Sequence, residues 1–331
     1  MAKGGAKELR KRIKSVGNIR KITKAMEMVA AAKMKKVVAK AISARSYTES
    51  AWTILVSVSE SVRRSDNPLL KARPVKRICI VLFSSNKGLC GGLNSQLVKK
   101  ILEQVKNPYS LMVNRVRDVK IEPEVSPKAV EIEFVTVGRK GTEAAIRAGQ
   151  KVVASFFDWN EQLGLDNVYP LSDFLFEKYN QAYYDKIVVA YSNFISVVKN
   201  EPKIRQILPL SRLDIEKQLE ELGKEIGTKE GRKEKIEELR EKAGETYYIY
   251  EPSKENVLKI ILPRMIEGQI YQAFLESQAS EFSSRMLTMK NATDVAGDMM
   301  AEFSLYYNIA RQANITKELA EISAGITSME G

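Results

Sequence analysis

The stretch LRKRIKSVGNIRKITKAMEMVAAAKMKKVVAKAISA (Leu9–Ala44) decides the fold. Its apolar and small residues Ile13, Val16, Ile19, Ile22, Met26, Ala30, Met34, Val37, Ala41 and Ala44 recur every three or four positions. Past Thr48 the same steps continue through Ala51, Leu55, Val58 and Val62. Such steps line one face of a helix. A second stripe follows Pro263, through Leu275, Ala279, Phe282, Met286, Met289, Ala292, Ala296, Met299, Phe303, Tyr306, Ala310 and Ala313, and no proline interrupts either stretch. Helices of about 60 to 70 residues, rising ~1.5 Å per residue, would each extend roughly 90 to 105 Å. One globular domain does not require that length. The two stripes therefore predict a two-helix coiled coil made from the chain's own ends, reaching into or through something else.

The remaining composition is globular: 331 residues, 44% of them hydrophobic, suffice for one large or two ordinary domains with a real core. The net charge of +12 is unevenly placed. Residues 1–64 hold 16 Lys and Arg against 4 Asp and Glu, leaving 37 of each sign elsewhere. A helix with that excess could meet nucleic acid, a membrane surface or an acidic protein sleeve, or simply keep a long helix solvated; charge alone does not choose. Histidine is absent, which removes the usual general base near neutral pH and the commonest metal ligand. Cys79 and Cys90 have no metal-type spacing and form no disulfide framework, as suits a reducing compartment. No apolar run approaches the roughly 18 to 20 residues of a membrane span, and the N-terminus lacks the apolar core of a signal peptide. A soluble protein is expected, joined to a membrane only through partners.

Between the long helices the texture changes at Pro68 and Pro74. RICIVLFS (Arg77–Ser84) reads as a buried strand, and a Gly-rich turn (Lys87–Leu93) leads into a helix from Asn94 to about Lys106. Further strands are expected at Val130–Val137, Lys151–Phe156 and Lys186–Tyr191, with helices at Lys140–Ala148 and Leu171–Tyr184. That alternation predicts a small α/β domain with a mainly parallel sheet. GLCGGLN (Gly88–Asn94) lacks both the Lys-Ser/Thr ending of a P-loop and the spacing of a dinucleotide fingerprint, so a tight structural turn is the better reading than a phosphate site. Arg212–Gly244 has the pattern of an inserted helical hairpin, two short amphipathic helices joined by GTKEG (Gly227–Gly231). Lys106–Lys128, with Pro108, Pro123 and Pro127, is longer than a minimal link between strand units.

Several collinear segments resemble the gamma subunit of F-type ATP synthases: ITKAMEMVAAAKM (Ile22–Met34), SSNKGLCGGLN (Ser84–Asn94), YEP (Tyr250–Pro252), LPRMIEGQIYQA (Leu262–Ala273), MKNATDVAG (Met289–Gly297) and YNIARQANITKEL (Tyr307–Leu319). The resemblance implies a long antiparallel coiled coil formed by the N- and C-terminal helices, with a small Rossmann-like α/β domain of mainly parallel sheet. Expected boundaries are 1–64 for the first helix, 74–211 for the α/β domain, 212–246 for the hairpin and 254–331 for the last helix. It further implies a central rotor shaft that couples an ion-driven membrane ring to the beta-subunit nucleotide sites, with no catalytic residue and no cofactor or metal of its own.

By motif position, the resemblance assigns Arg311, Gln312, Thr316 and Glu318 to contact with a beta subunit, and places Arg264 and Met26 in the same rotor–stator region. Met26 fits equally well as plain coiled-coil core. Lys33, Lys35 and Lys36, with Lys203 and Arg205 from SNFISVVKNEPKIR (Ser192–Arg205), are the expected contacts to the ring and the epsilon subunit. The implied partners are the alpha/beta hexamer of F1, epsilon and the membrane c-ring, with no nucleic acid. The implied location is the cytoplasmic face of a bacterial inner membrane. Two other readings fit parts of the chain: a coiled-coil nucleic-acid binder using the basic helix, and a nucleotide enzyme in the α/β domain. For the latter, Asn86, Lys87, Cys90 and Asn94 are a poor chemical set. The hairpin, having no cysteine, is expected to restrain rotation in one direction or to dock epsilon, not to act as a thiol switch.

Overall fold

The computed structural model describes residues 2–57, 67–116, 119–159, 162, 164–210, 251 and 253–327. They form two compact units, Met1–Ala32 with Arg285–Gly331, and Lys33–Ser284. The expected hairpin at 212–246 lies outside the described residues.

In the first unit, α1 (Ala2–Ser57) runs beside the last helix, α6 (Lys254–Thr327), each of which also contributes to the second unit. The pairing is antiparallel: the Thr293 hydroxyl lies 2.8 Å from that of Thr23, Gly17 faces the Met300 side chain, and Gly297 faces Arg20. The seam runs through Val16, Thr23 and Ala30 on α1 and through Met289, Thr293, Ala296, Met300, Phe303, Tyr307 and Ala310 on α6, all buried or half-buried. Four residues of the predicted stripes therefore move. Ile19 and Ile22 point outward, 50% and 59% exposed, and on α6 the seam takes Met300 and Tyr307 in place of Met299 and Tyr306. Close approach explains this. Gly17, Thr23, Thr293 and Gly297 are small enough to bring the backbones together, and larger isoleucines would hold them apart. The paired hydroxyls also satisfy each other in the buried strip, with Thr23 Oγ1 within reach of Arg20 O (3.1 Å) and Thr293 Oγ1 of Met289 O (2.8 Å).

The second unit is built on a five-stranded sheet of order β5-β4-β1-β6-β7. Strands β1 (Arg77–Phe83), β4 (Glu131–Val137), β5 (Lys151–Phe156) and β6 (Lys186–Ser196) are parallel, and β7 (Lys199–Leu208) pairs antiparallel at the edge. Successive side chains of β1 go to opposite faces, so its near-continuous apolar run fills two cores. Ile78, Ile80 and Leu82 pack with Leu97 and Ile101 of α2 (Leu93–Lys106), Leu111 and Met112 of α3 (Tyr109–Met112) and Ala145 of α4 (Arg139–Arg147). Cys79, Val81 and Phe83 face Leu171, Leu175 and Tyr179 of α5 (Tyr169–Asn180), Val37 and Ala41 of α1, and the α6 segment from Leu258 to Phe282. The long helices thus supply one layer of this unit.

The four expected strands and the helices before and after β4 fall close to where predicted, and the last helix starts at Lys254 as expected; two features differ. β7 was not anticipated, because KNEPKIRQIL is polar and contains Pro202; proline is tolerated there since the strand is at an edge. α5 stops at Asn180, four residues early, and Ala182 at φ 56° turns the chain so that Tyr183 and Tyr184 leave the helix. Helix α6 runs through Pro263 without a break; the carbonyl that loses an N–H partner belongs to Lys259, an exposed residue. The long link after α2 holds α3 and a small antiparallel pair, β2 (Asn114–Val116) with β3 (Val119–Ile121).

Candidate functional site

On the first unit the expected contact residues are presented outward. Arg311, Gln312, Thr316 and Glu318 are exposed on α6, with Gln312 and Thr316 one helical turn apart, and Thr316 Oγ1 donates back to Gln312 O at 3.0 Å. From Ile315 to Ser323 every residue is exposed, including Ile315, Leu319 and Ile322. Met26 is half-buried beside the seam, whereas Ile22 and Val29 on the same helix face outward. With Met28, Leu305, Tyr306 and Ile309 they give this pair an unusually apolar exterior. Sequence periodicity assigned Ile22 and Tyr306 to the seam and so concealed that surface.

On the second unit Lys33 is half-buried, its ammonium 5.7 Å from the centre of the Phe282 ring, while Lys35 and Lys36 are exposed. Lys203 is half-buried on β7. Arg205 is 7% exposed, with its guanidinium 5.5 Å from the Tyr191 ring centre, so within this chain it packs the edge of the sheet. Arg264 is tied inside the unit, donating to Tyr169 Oη at 2.6 Å and to Glu267 Oε2 at 3.0 Å. These bonds raise its pKa, while burial raises that of Glu267 against the pull of the arginine. The β6–β7 hairpin is fastened to α6 by Ser280 Oγ to Ser192 O (2.8 Å), Asn200 Nδ2 to Ser284 Oγ (2.8 Å), and Ser283 Oγ to Val197 O. Val198 at its tip is 77% exposed. Sequence reading missed these serines because on a helix they resemble ordinary surface positions.

The Gly-rich crevice at the C-terminal ends of the strands, where open α/β sheets commonly hold ligands, is filled by its own side chains. Asn94 Oδ1 accepts from Ser85 N (3.2 Å) and its amide donates to Ser85 Oγ (2.7 Å); Asn86 Nδ2 donates to Phe157 O (2.8 Å) and its Oδ1 accepts from Arg139 N (3.1 Å). Ser84 Oγ accepts from Gly141 N at 2.8 Å. Trp159 closes the site against Phe83 and Phe274. Both cysteines are buried thiols outside any disulfide, and burial pushes the Cys79 thiol far above its usual range. Leu89 and Gly91 take positive φ, as a tight turn demands. Among the described residues no three His, Cys, Asp or Glu side chains gather into a metal site, and no helix is long and apolar enough to cross a membrane.

Fold and surface together define an α/β protein whose terminal helices form an antiparallel coiled coil with an apolar exterior. The family model described as ATP synthase matches residues 5–329. Proteins named ATP synthase gamma chain are 32% identical in Pelotomaculum thermopropionicum, 33% in Cupriavidus necator and 32% in Legionella pneumophila, each alignment covering 98% of this chain and 99% of the relative. The chain belongs to the ATP synthase gamma-chain family. Its fold is similar to that of chains in two mitochondrial ATP synthase structures from Euglena gracilis. One, of the rotor, has TM-score 0.56 and 16% identity and covers 94% of this chain and 99% of that one. The other, of the OSCP/F1/c-ring assembly, has TM-score 0.60 and 17% identity and covers 98% and 95%.

Proposed function

We propose that this chain is the central shaft of a rotary ATP synthase, coupling ion-driven rotation of a membrane ring to ATP synthesis or hydrolysis at beta-subunit sites, with no catalytic residue of its own. Membership of the gamma-chain family supports this, and one structural observation carries it: several large apolar side chains of the helix pair point outward while Gly17, Thr23, Thr293 and Gly297 take places in the seam. Ile22, Met28 and Leu305 are each about 60% exposed. Such a surface is costly in water and calls for enclosing protein. An alpha/beta hexamer with a hollow axis is the enclosure the family relation supplies. Mostly apolar contact also suits a turning part, because undirected packing creates shallower orientation-dependent wells than hydrogen bonds do. The four polar residues Arg311, Gln312, Thr316 and Glu318 then act as the orientation-dependent catch toward a beta subunit. A guanidinium can form a bidentate pair with a carboxylate in one orientation and release it in others. Lys33, Lys35, Lys36 and Lys203 are the proposed contacts toward the ring and epsilon, and the complex would sit peripherally on the cytoplasmic face of a bacterial inner membrane.

Co-expression with the cognate alpha and beta subunits tests the reading by native mass and ATPase assay. One copy of this chain is expected per hexamer, and sustained hydrolysis is expected to require it. Arg311→Ala with Gln312→Ala should leave assembly intact and cut turnover about tenfold, the effect of losing roughly 1.4 kcal/mol of a state-dependent contact. A hexamer that turns over equally fast without the chain would end the shaft reading. Salt-sensitive nucleic-acid binding by the chain would be the next question.

A further inference from the structure

The second unit has an open recess of about 690 Å³ at the end of the sheet opposite the filled crevice, lined by Arg73, Lys76, Arg77, Glu131, Tyr183 and Asp185. We propose that it is an anion site that takes the phosphate chain of a small polyphosphate-bearing ligand.

Three features carry this. First, both guanidiniums are held in place. Arg73 lies 4.4 Å from the Tyr179 ring centre and donates one N–H to Tyr179 O at 2.8 Å; Arg77 lies 4.8 Å from the Tyr183 ring centre and donates Nε–H to Glu131 Oε2 at 2.8 Å. A guanidinium has five N–H donors. Stacking and one bond fix each plane and leave donors for a ligand, so little side-chain entropy is lost on binding. Second, the backbone carrying Lys76 and Arg77 is clamped on both sides. Their N–H groups donate to Asp185 Oδ2 at 2.8 and 3.0 Å, Arg77 O accepts from Asp185 N at 3.0 Å, and Lys76 O accepts from Glu131 N at 2.9 Å. Third, the charges do not cancel. Glu131 offsets Arg77 and Asp185 is occupied by the two backbone N–H groups, whereas among the described residues no carboxylate pairs with Arg73 or Lys76. Three cations against two carboxylates leave the lining with an excess of one positive charge, and Arg73 and Lys76, with no carboxylate partner among the described residues, can each take a phosphate oxygen. The volume exceeds what one phosphate fills and lies in the range of ordinary ligand pockets. Apolar Pro74 and Val125 on the wall leave room for an uncharged part.

The phosphates could come from free pyrophosphate or from a nucleotide, and titration calorimetry of the full chain without magnesium separates the sources. Saturable one-to-one binding of pyrophosphate is expected, weakening as salt rises. Arg73→Gln with Arg77→Gln should lower the affinity by about tenfold or more, while Lys7→Gln, Lys11→Gln and Lys14→Gln together on α1 should leave it unchanged. ADP binding more tightly than pyrophosphate would identify a nucleotide; equal affinity would identify the phosphate chain alone. If the double variant does not fold, the exposed Lys76→Glu serves instead and should weaken binding comparably. The proposal is overturned if neither ligand gives saturable heat. It is overturned equally if the recess variants bind like the parent, or if the α1 variant abolishes binding, because the anion would then reside on the basic helix.

Discussion

Gly138→Ala is expected to lower the melting temperature of the chain by about 10 °C or more, the largest effect of any single methyl group added to it. Two costs combine. Gly138 holds φ at +100°, a conformation that costs an L-residue roughly 1 to 2 kcal/mol. A Cβ there would also lie 2.1 Å from Ser84 O, and the obstruction is backbone, not a side chain that could swing away. Relieving it must move β1 against β4, because Ser84 N donates to Val137 O at 2.8 Å, and overpacking of this kind costs about 1 to 3 kcal/mol. The sum is a large part of a typical stability of roughly 5 to 15 kcal/mol. Gly149→Ala is the internal control: φ is +71° but nothing lies within 4 Å of the added carbon, so only the conformational cost of about 1 kcal/mol remains. Equal melting temperatures for the two variants would mean that the approach of Gly138 to Ser84 does not exist in solution. Since Gly138 opens α4 beside the Gly-rich segment, the damage should appear as loss of the α/β unit while the helix pair keeps its far-ultraviolet signal.

Much of this architecture is legible in the sequence because two periodicities dominate it. The alternation of short apolar runs with helical patterns gives the strands from Arg77 to Tyr191, and the steps of three and four give the terminal helices. The face those helices bury is harder to read. Hydrophobicity ranks Ile19 and Ile22 above Gly17 and Thr23, yet the smaller pair lies in the seam, since closeness of the backbones decides the contact. The same slip at Met299 and Tyr306 turned an exterior into an apparent core. A large apolar residue is ordinarily evidence of burial within its own chain; here the counterevidence is the small residues beside it, Gly17 and Thr23 on one helix and Thr293 and Gly297 on the other. Contacts made by polar residues were less legible still. Arg205 reads as a surface cation by composition, but it is stacked on Tyr191. Nothing local in RICIVLF or YNQAYYD announces that Arg77 and Asp185, far apart in sequence, meet at one recess.

Glu133 is the second position where a single change should be costly. It sits on β4, 2% exposed, and gathers three donors: Tyr184 Oη at 2.6 Å, Lys151 Nζ at 2.6 Å and Tyr183 Oη at 3.2 Å. Lys151 is 68% exposed in its side chain, so the ion pair itself contributes little after solvent screening. The larger cost comes from Tyr184, whose buried hydroxyl would lose its acceptor. Its pKa is driven far above the usual phenol range, first by burial and then by its bond to the carboxylate. Glu133→Leu is therefore expected to cost about 2 to 4 kcal/mol, and adding Tyr184→Phe should recover about half of it, because an apolar pair of similar shape leaves no polar group stranded. Denaturant midpoints for the four chains of that cycle measure the coupling. The pH dependence has a fixed sign. Burial pushes the Glu133 carboxyl upward, but the bonds from Lys151, Tyr184 and Tyr183 together outweigh it and hold the folded value below normal. The carboxylate thus contributes fully above the unfolded value of about 4.3, and that contribution fades as pH falls through the folded one. The stability gap between parent and Glu133→Gln should stay level from about pH 8 to 5 and narrow only below about pH 4. A gap that instead widened as pH fell from about 8 to 5 would show that burial holds Glu133 protonated, and that Lys151 and the two tyrosines fail to keep it charged.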